Sequence, residues 1–166
     1  MSEPSTYVSQ VGGSHYESAY QHWDLIADLN AGYLEANATK YMCRAHKKNG
    51  IEDIRKAVTY VRKLQALVHA GHIRERTGFW GLILNVTAGI RNLGRPRTPT
   101  HMRGVEYFGD HIQMFLTESS VPSRVHKMFR GTLSWKTAGD LYQVEADLNS
   151  LVVELATNVN TEKPVL

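Results

Sequence analysis
Cys43 is the whole thiol content of this 166-residue chain. A lone cysteine closes no internal disulfide and excludes a multi-cysteine zinc site, so a reducing, cytoplasmic setting is the simplest reading. No run of about 18 apolar residues occurs, which excludes a membrane-spanning helix. The opening Met1-Ser2-Glu3-Pro4-Ser5-Thr6 has no apolar stretch and does not read as a secretory signal. No G-x-G-x-x-G is present. Gly89-Ile90-Arg91-Asn92-Leu93-Gly94-Arg95-Pro96 spaces its glycines like a P-loop, but Arg95-Pro96 stands where Lys and Ser/Thr are required, so it reads as a helix end. Paired E-x-x-E and E-x-x-D motifs are missing too, which argues against a helical magnesium-dependent pyrophosphatase. His69 and His72 do not make a ligand set. The residues therefore point to no metal site and no cofactor, and leave magnesium dependence open.

What is present fits one all-α domain. Apolar residues make up 42% and charged residues 21% of the chain, ordinary values for a globular protein with a real core. Residues 1–11 and 158–166 read as flexible tails. An aromatic, hydrogen-bonding patch follows at His15-Tyr16 and Tyr20-Gln21-His22-Trp23-Asp24, with a short helix from about Trp23 to Leu29. Helix formers fill Leu34 to Lys47, and Asn49-Gly50 ends that helix. A second helix starts at Ile51 with Glu52 and Asp53 in its first turn. Its apolar stripe is Ile51, Ile54, Val58, Val61, Leu64 and Val68. So short a connection makes the two helices antiparallel neighbours.

Residues 70–157 form a C-terminal helical extension. Helices are expected from about Ile73 to Arg91, from Thr100 to Leu116 and from Ala138 to Thr157. The last buries Leu141, Val144, Leu148, Leu151, Val152 and Leu155. Residues 118–137, punctuated by Pro122 and Gly131, read as an ordered loop.

Charge is concentrated in the hairpin. Between Leu34 and Val68, Lys40, Arg44, Lys47, Lys48, Arg55, Lys56, Arg62 and Lys63 stand against Glu35, Glu52 and Asp53. That is eight cations less three anions, or +5, in a chain whose net charge is +3. Asn37, Lys40, Tyr41, Arg44 and Lys48 recur at intervals of three or four on the first helix, and Asp53, Lys56, Tyr60 and Lys63 on the second. Two such lines facing one groove suit a phosphate, with Arg and Lys supplying charge and Asn and Tyr orientation. The ring of Tyr41 or Tyr60 could stack on a base. The structural alternative is a solvated basic face, with Asp53 a helix-start residue paired to Arg55 or Lys56. Cys43, on the first helix, reads as a buried structural thiol.

Three stretches together resemble the SaV-like proteins of tailed bacteriophages. They are Gly12-Gly13-Ser14-His15-Tyr16, Gln21-His22-Trp23-Asp24-Leu25-Ile26, and the run from Asn37-Ala38-Thr39-Lys40-Tyr41 through Arg44, Lys47-Lys48-Asn49-Gly50, Asp53 and Lys56 to Tyr60. The resemblance covers about residues 12–68. It departs at His22, where that family usually has Pro, and at Ala36, where it often has Gly. One branch includes a podophage nucleotide kinase without a P-loop. The resemblance therefore implies a nucleotide-related role in an infected host cell, and a phosphoryl-transfer activity only by distant analogy.

Two function classes follow. In the first, Lys40, Arg44, Lys48 and Lys56 hold phosphates, and Asp53 or His15 handles a proton or positions the acceptor. Tyr16, Gln21, Trp23, Asn37, Tyr41 and Tyr60 complete the ligand-binding set. In the second, the same groups hold a nucleotide without chemistry, sequestering a host defence signal. A host protein anchored by Tyr16, Tyr20 and Trp23 is an alternative partner. Polymeric nucleic acid is disfavoured because the charged patch is short. The hairpin alone leaves apolar surface uncovered, so it is expected to pack on the C-terminal helices, in a small helical bundle, or on a second copy of itself, and a homo-oligomer is expected.

Overall fold
The computed structural model describes residues 20–76 and 105–161, with side chains for 20–76 and 109–157. Among these residues it contains six α-helices and no strand, a small all-α bundle. They are α1 (His22–Leu29), α2 (Tyr33–Arg44), α3 (Ile51–His69), α4 (Val105–Glu118), α5 (Ser123–Ser134) and α6 (Ala138–Thr161).

Local chemistry sets the boundaries. Asp24 reaches back to accept the Gln21 backbone N–H at 3.0 Å, which starts α1. Asn30 ends it in the left-handed conformation (φ 49°), and the Ala31 N–H closes on the Ile26 carbonyl at 3.1 Å. α2 tightens into a 3-10 turn over Ala45–Lys47. Gly50 then turns the chain at φ 49° and ψ −123°, a conformation open essentially to glycine alone. Asp140 caps α6 by accepting the Lys136 and Thr137 N–H groups, both at 2.8 Å, and these bonds hold its carboxyl below the usual range.

α2 and α3 run antiparallel: Arg44, at the end of α2, meets Asp53 at the start of α3, while Tyr33, at the start of α2, meets Tyr60 further along α3. The apolar face of this hairpin is covered within the chain by α5 and α6, and α1 lies against α4. Leu25, Met42, Ile54, Val61, Ile112, Phe115, Phe129 and Leu148 form one continuous core, with the rings of Phe115 and Phe129 stacked at 5.7 Å. Leu64, Trp135 and Leu141 make a smaller cluster against Leu34 and Val68.

Three expectations are corrected. The stretch 118–137 is not a loop, because α5 occupies Ser123–Ser134 and buries Val125, Met128, Phe129, Thr132 and Leu133. Pro122 precedes the helix rather than breaking it, and Gly131 lies where α5 presses on Val144 of α6. The helix expected from Ile73 does not start there. Residues 73–76 are irregular and tied to Lys136 by the Arg76 N–H at 2.8 Å; the rest of that segment lies outside the described residues. α6 runs on through Thr161 rather than fraying at Asn158. Among the described residues, no helix is long and apolar enough to cross a membrane.

Candidate functional site
The two polar lines meet within one chain. Arg44 donates to Asp53 through Nε (to Oδ2) and Nη2 (to Oδ1), each at 2.9 Å, and Asn49 Nδ2 adds a bond to Oδ1 at 3.3 Å. Lys56 Nζ stands 3.8 Å from Asp53 Oδ1 and 3.6 Å from Glu52 Oε1. The Asp53 side chain is 0% exposed. Burial alone would raise its carboxyl, but the Arg44 and Asn49 hydrogen bonds and the charges of Arg44 and Lys56 outweigh that and hold it below the usual carboxylate range. Both oxygens are thus engaged from α2, the turn and α3 at once, and Asp53 fastens the two helices together.

A column of rings runs on from this pair. The Arg44 guanidinium lies 4.6 Å from the Tyr41 centroid, and Lys56 Nζ lies 5.8 Å from it. Tyr41 stacks on Tyr60 at 5.6 Å and 20°, and Tyr60 meets Tyr33 edge-on at 6.3 Å and 70°. Burial, then the neighbouring Tyr33 and Tyr41 phenols through charge and hydrogen bonding, push the Tyr60 hydroxyl up, so it stays protonated at neutral pH. The outer end of the column is open, with Tyr33 73% exposed.

The structure therefore brings together Tyr41, Arg44, Asp53, Lys56 and Tyr60, and adds Tyr33 and Asn49. Tyr33 was missed because the helix was expected to begin one residue later. The i, i+4, i+8 spacing of Tyr33, Asn37 and Tyr41 carries the signal.

Other expected members stand apart. Asn37 turns back to donate to the Tyr33 carbonyl at 2.8 Å. Lys40 acts on His22, on the side of α1. Lys48 lies beyond the 3-10 turn and is exposed, because the change of helix type breaks its register with Arg44. Gln21 is buried beneath the start of α1, while Trp23 is 51% exposed. His15 and Tyr16 lie outside the described residues.

Two groups around the hairpin are held silent. His22 sits between Thr39 and Phe115. The Thr39 hydroxyl gives its proton to the Glu35 and Ala36 carbonyls, so His22 Nε2–H is the donor in the 3.0 Å contact with Thr39 Oγ1. Burial, aided by the Lys40 charge, lowers the imidazole to about 3, so the ring is neutral at physiological pH. Burial pushes the Cys43 thiol well up, more than the Lys47 charge pulls it down, which leaves it protonated and unreactive.

Residues 11–62 match the family described as a protein of unknown function, DUF3310. The matched stretch holds α1, α2 and most of α3, and so includes the Arg44–Asp53 pair and the three-ring column. No curated protein and no solved structure matches the chain.

Proposed function
We propose that the α2–α3 hairpin binds a phosphate-bearing small molecule of the nucleotide class, and that it acts by holding this ligand. The observation that carries the reading is the joining of the two polar lines in one chain. Lys56, Tyr41, Tyr60 and Tyr33 form a continuous cationic and aromatic strip, anchored at one end by Arg44 on Asp53. Lys63, exposed one turn beyond Tyr60, extends the positive charge toward Tyr33. A strip with ammonium groups beside ring faces and edges suits a ligand that is anionic at one end and planar at the other.

The binding reading is favoured over phosphoryl transfer by the state of Asp53. A general base needs a free oxygen within reach of its proton. Asp53 is fully buried and its oxygens are engaged by Arg44, Asn49 and Lys56, so its part in this proposal is to position Arg44 and Lys56. The resemblance to SaV-like phage proteins adds the biological form of the proposal, a phage protein that holds a nucleotide of the infected cell.

A thermal-shift screen of mono-, di-, tri- and cyclic nucleotides, followed by product analysis, tests it. The expected result is a saturable shift with the nucleotide recovered unchanged. Lys56→Gln combined with Lys63→Gln should remove the shift while leaving the helical circular-dichroism signal unchanged, since Lys63 is exposed and Arg44 and Asn49 still pair the buried Asp53 when the Lys56 charge is gone. Conversion of the nucleotide would replace the holding role with an enzymatic one. No shift with any nucleotide would overturn the proposal.

A further inference from the structure
The three rings of the column are not equivalent. Tyr41 has one face against Tyr60 and carries Arg44 over its ring at 4.6 Å. Tyr60 lies between Tyr41 and Tyr33. Both are half-buried. Tyr33 meets Tyr60 at 70° and leaves 73% of its surface in water, so at least one of its faces is open. Stacking that the sequence would allot to Tyr41 or Tyr60 is thus already satisfied inside the protein, and the ring with room for a partner is Tyr33.

The surroundings of Tyr33 indicate what that partner carries. α2 and α3 are antiparallel, so moving from Tyr41 toward Tyr33 on α2 corresponds to moving from Tyr60 toward Lys63 on α3. Lys63 is one turn beyond Tyr60 and exposed; Lys56 is one turn before it, with its ammonium 5.8 Å from the Tyr41 ring. Along α3, Lys63 is therefore the cation on the Tyr33 side of Tyr60, and Lys56 the one on the Arg44 side. A planar group on the open face of Tyr33 thus has the exposed Lys63 as the next cation along the hairpin.

We infer that Tyr33 is the platform on which the base of a nucleoside monophosphate stacks, with its phosphate held by Lys63. This inference rests on the nucleotide-binding reading above and sharpens it in one respect. It assigns the base to a residue at the open end of the column and makes the ring, not the phosphate alone, the source of selectivity. Stacking of this kind accepts any base, because every base has a π-face. The site should therefore prefer nucleotides over sugar phosphates while discriminating little among bases.

Calorimetric titration of the full chain with the four common ribonucleoside 5′-monophosphates and with ribose 5-phosphate tests this. Ribose 5-phosphate keeps the anion and lacks the base. The wild-type chain should bind the nucleotides about tenfold more tightly than ribose 5-phosphate. Tyr33→Ala should bring that ratio to about one while leaving ribose 5-phosphate affinity unchanged, and Tyr33→Trp should restore it. A ratio that survives Tyr33→Ala overturns the assignment and leaves phosphate binding at the hairpin standing. Equal loss of both ligands in Tyr33→Ala overturns it too, since the ring would then support the hairpin rather than the base. Absence of saturable binding of every probe by the wild-type chain overturns the assignment together with the reading beneath it.

Discussion

Arg44 and Asp53 are joined by two hydrogen bonds of 2.9 Å, from Nε to Oδ2 and from Nη2 to Oδ1, across the closed end of the α2–α3 hairpin. The pair is enclosed: Arg44 is 13% exposed and Asp53 not at all. In this setting the two-pronged guanidinium fixes direction as well as charge, which a lysine could not do. It sets the register of two helices that share only a short turn, and it holds the guanidinium over Tyr41 at 4.6 Å.

Removing the Asp53 charge should therefore cost more than a surface ion pair would. Asp53→Asn keeps the shape but strands the Arg44 charge, and a loss of about 3 kcal/mol is expected. The pH dependence follows from the depressed carboxyl. Its folded value lies below the ordinary 3.8, so its contribution is complete above that value and is lost as pH falls through the lower folded value. Urea unfolding from neutral pH down to about pH 2 checks this: the wild-type and Asn variant stabilities should converge at the acid end. A constant gap across the range would show that the charge is not what stabilises the pair.

His22 should give a separate acid limb at higher pH. Its folded value is lowered from 6.5 to about 3, chiefly by burial, so between these values the unfolded chain binds a proton that the folded chain does not. Stability from this group is full above 6.5 and falls as pH drops toward 3. At about pH 5 the loss should reach roughly 2 kcal/mol. His22→Gln, which can still donate to Thr39, should flatten that limb. Proton NMR should find the wild-type ring untitrated at about pH 5; titration near 6.5 would refute the enclosure of the imidazole.

The limits of sequence reading are visible at these same residues. α1 was legible from the aromatic patch before it and its stop at Asn30, and α3 and α6 from apolar stripes at helical spacing, with Gly50 marking where α3 begins. α5 was hidden by Pro122 and Gly131, which usually punctuate loops. Its stripe of Val125, Met128, Phe129, Thr132 and Leu133 has the right spacing for a helix and outweighs both. At the candidate site, each helix's own line of polar residues was readable. Which members would meet was not, because that depends on the turn angle at Gly50 and on the break to a 3-10 turn at Ala45. Those features pair Tyr41 with Tyr60 and Arg44 with Asp53, and leave Lys48 exposed beyond the 3-10 turn. The buried polar groups Gln21, Glu35 and Gln65 were equally invisible, since only tertiary partners such as the Leu141 carbonyl, 3.0 Å from Gln65 Nε2, make their burial tolerable.

Gly131 should resist even the smallest substitution. A methyl there would lie 2.7 Å from Val144 Cγ2, and a β-branched side chain in a helix has little freedom to turn away. Alanine in place of mid-helix glycine ordinarily stabilises by about 1 kcal/mol. Here a net loss of about 1–2 kcal/mol is expected from overpacking. Val144→Ala should relieve it, so that the double variant is more stable than the two single changes sum to. Additive effects in a double-mutant cycle would mean that α5 and α6 separate freely enough to absorb the methyl.

Glu35 should stabilise the bundle through Trp135 more than through Arg76. Its Oε1 accepts the buried indole N–H at 3.1 Å and the Arg76 guanidinium at 3.0 Å, while Arg76 also lies over the Trp135 ring at 4.7 Å. Arg76 is part-exposed, so water can replace what it loses; the Trp135 indole, 1% exposed, has no such recourse. Gly32 leaves the space that lets this carboxylate turn inward, since a side chain there would collide with it. Glu35→Ala should cost about 2 kcal/mol or more by stranding the indole donor, whereas Glu35→Gln, which keeps the acceptor oxygen, should cost less. Combining Glu35→Ala with Trp135→Phe removes donor and acceptor together, so their effects should be less than additive in urea unfolding, and the coupling should persist when Arg76 is changed to Ala. If the coupling vanishes with Arg76, the ion pair rather than the indole bond holds α2 to α5, and Glu35 acts as the anchor of the segment at residues 73–76.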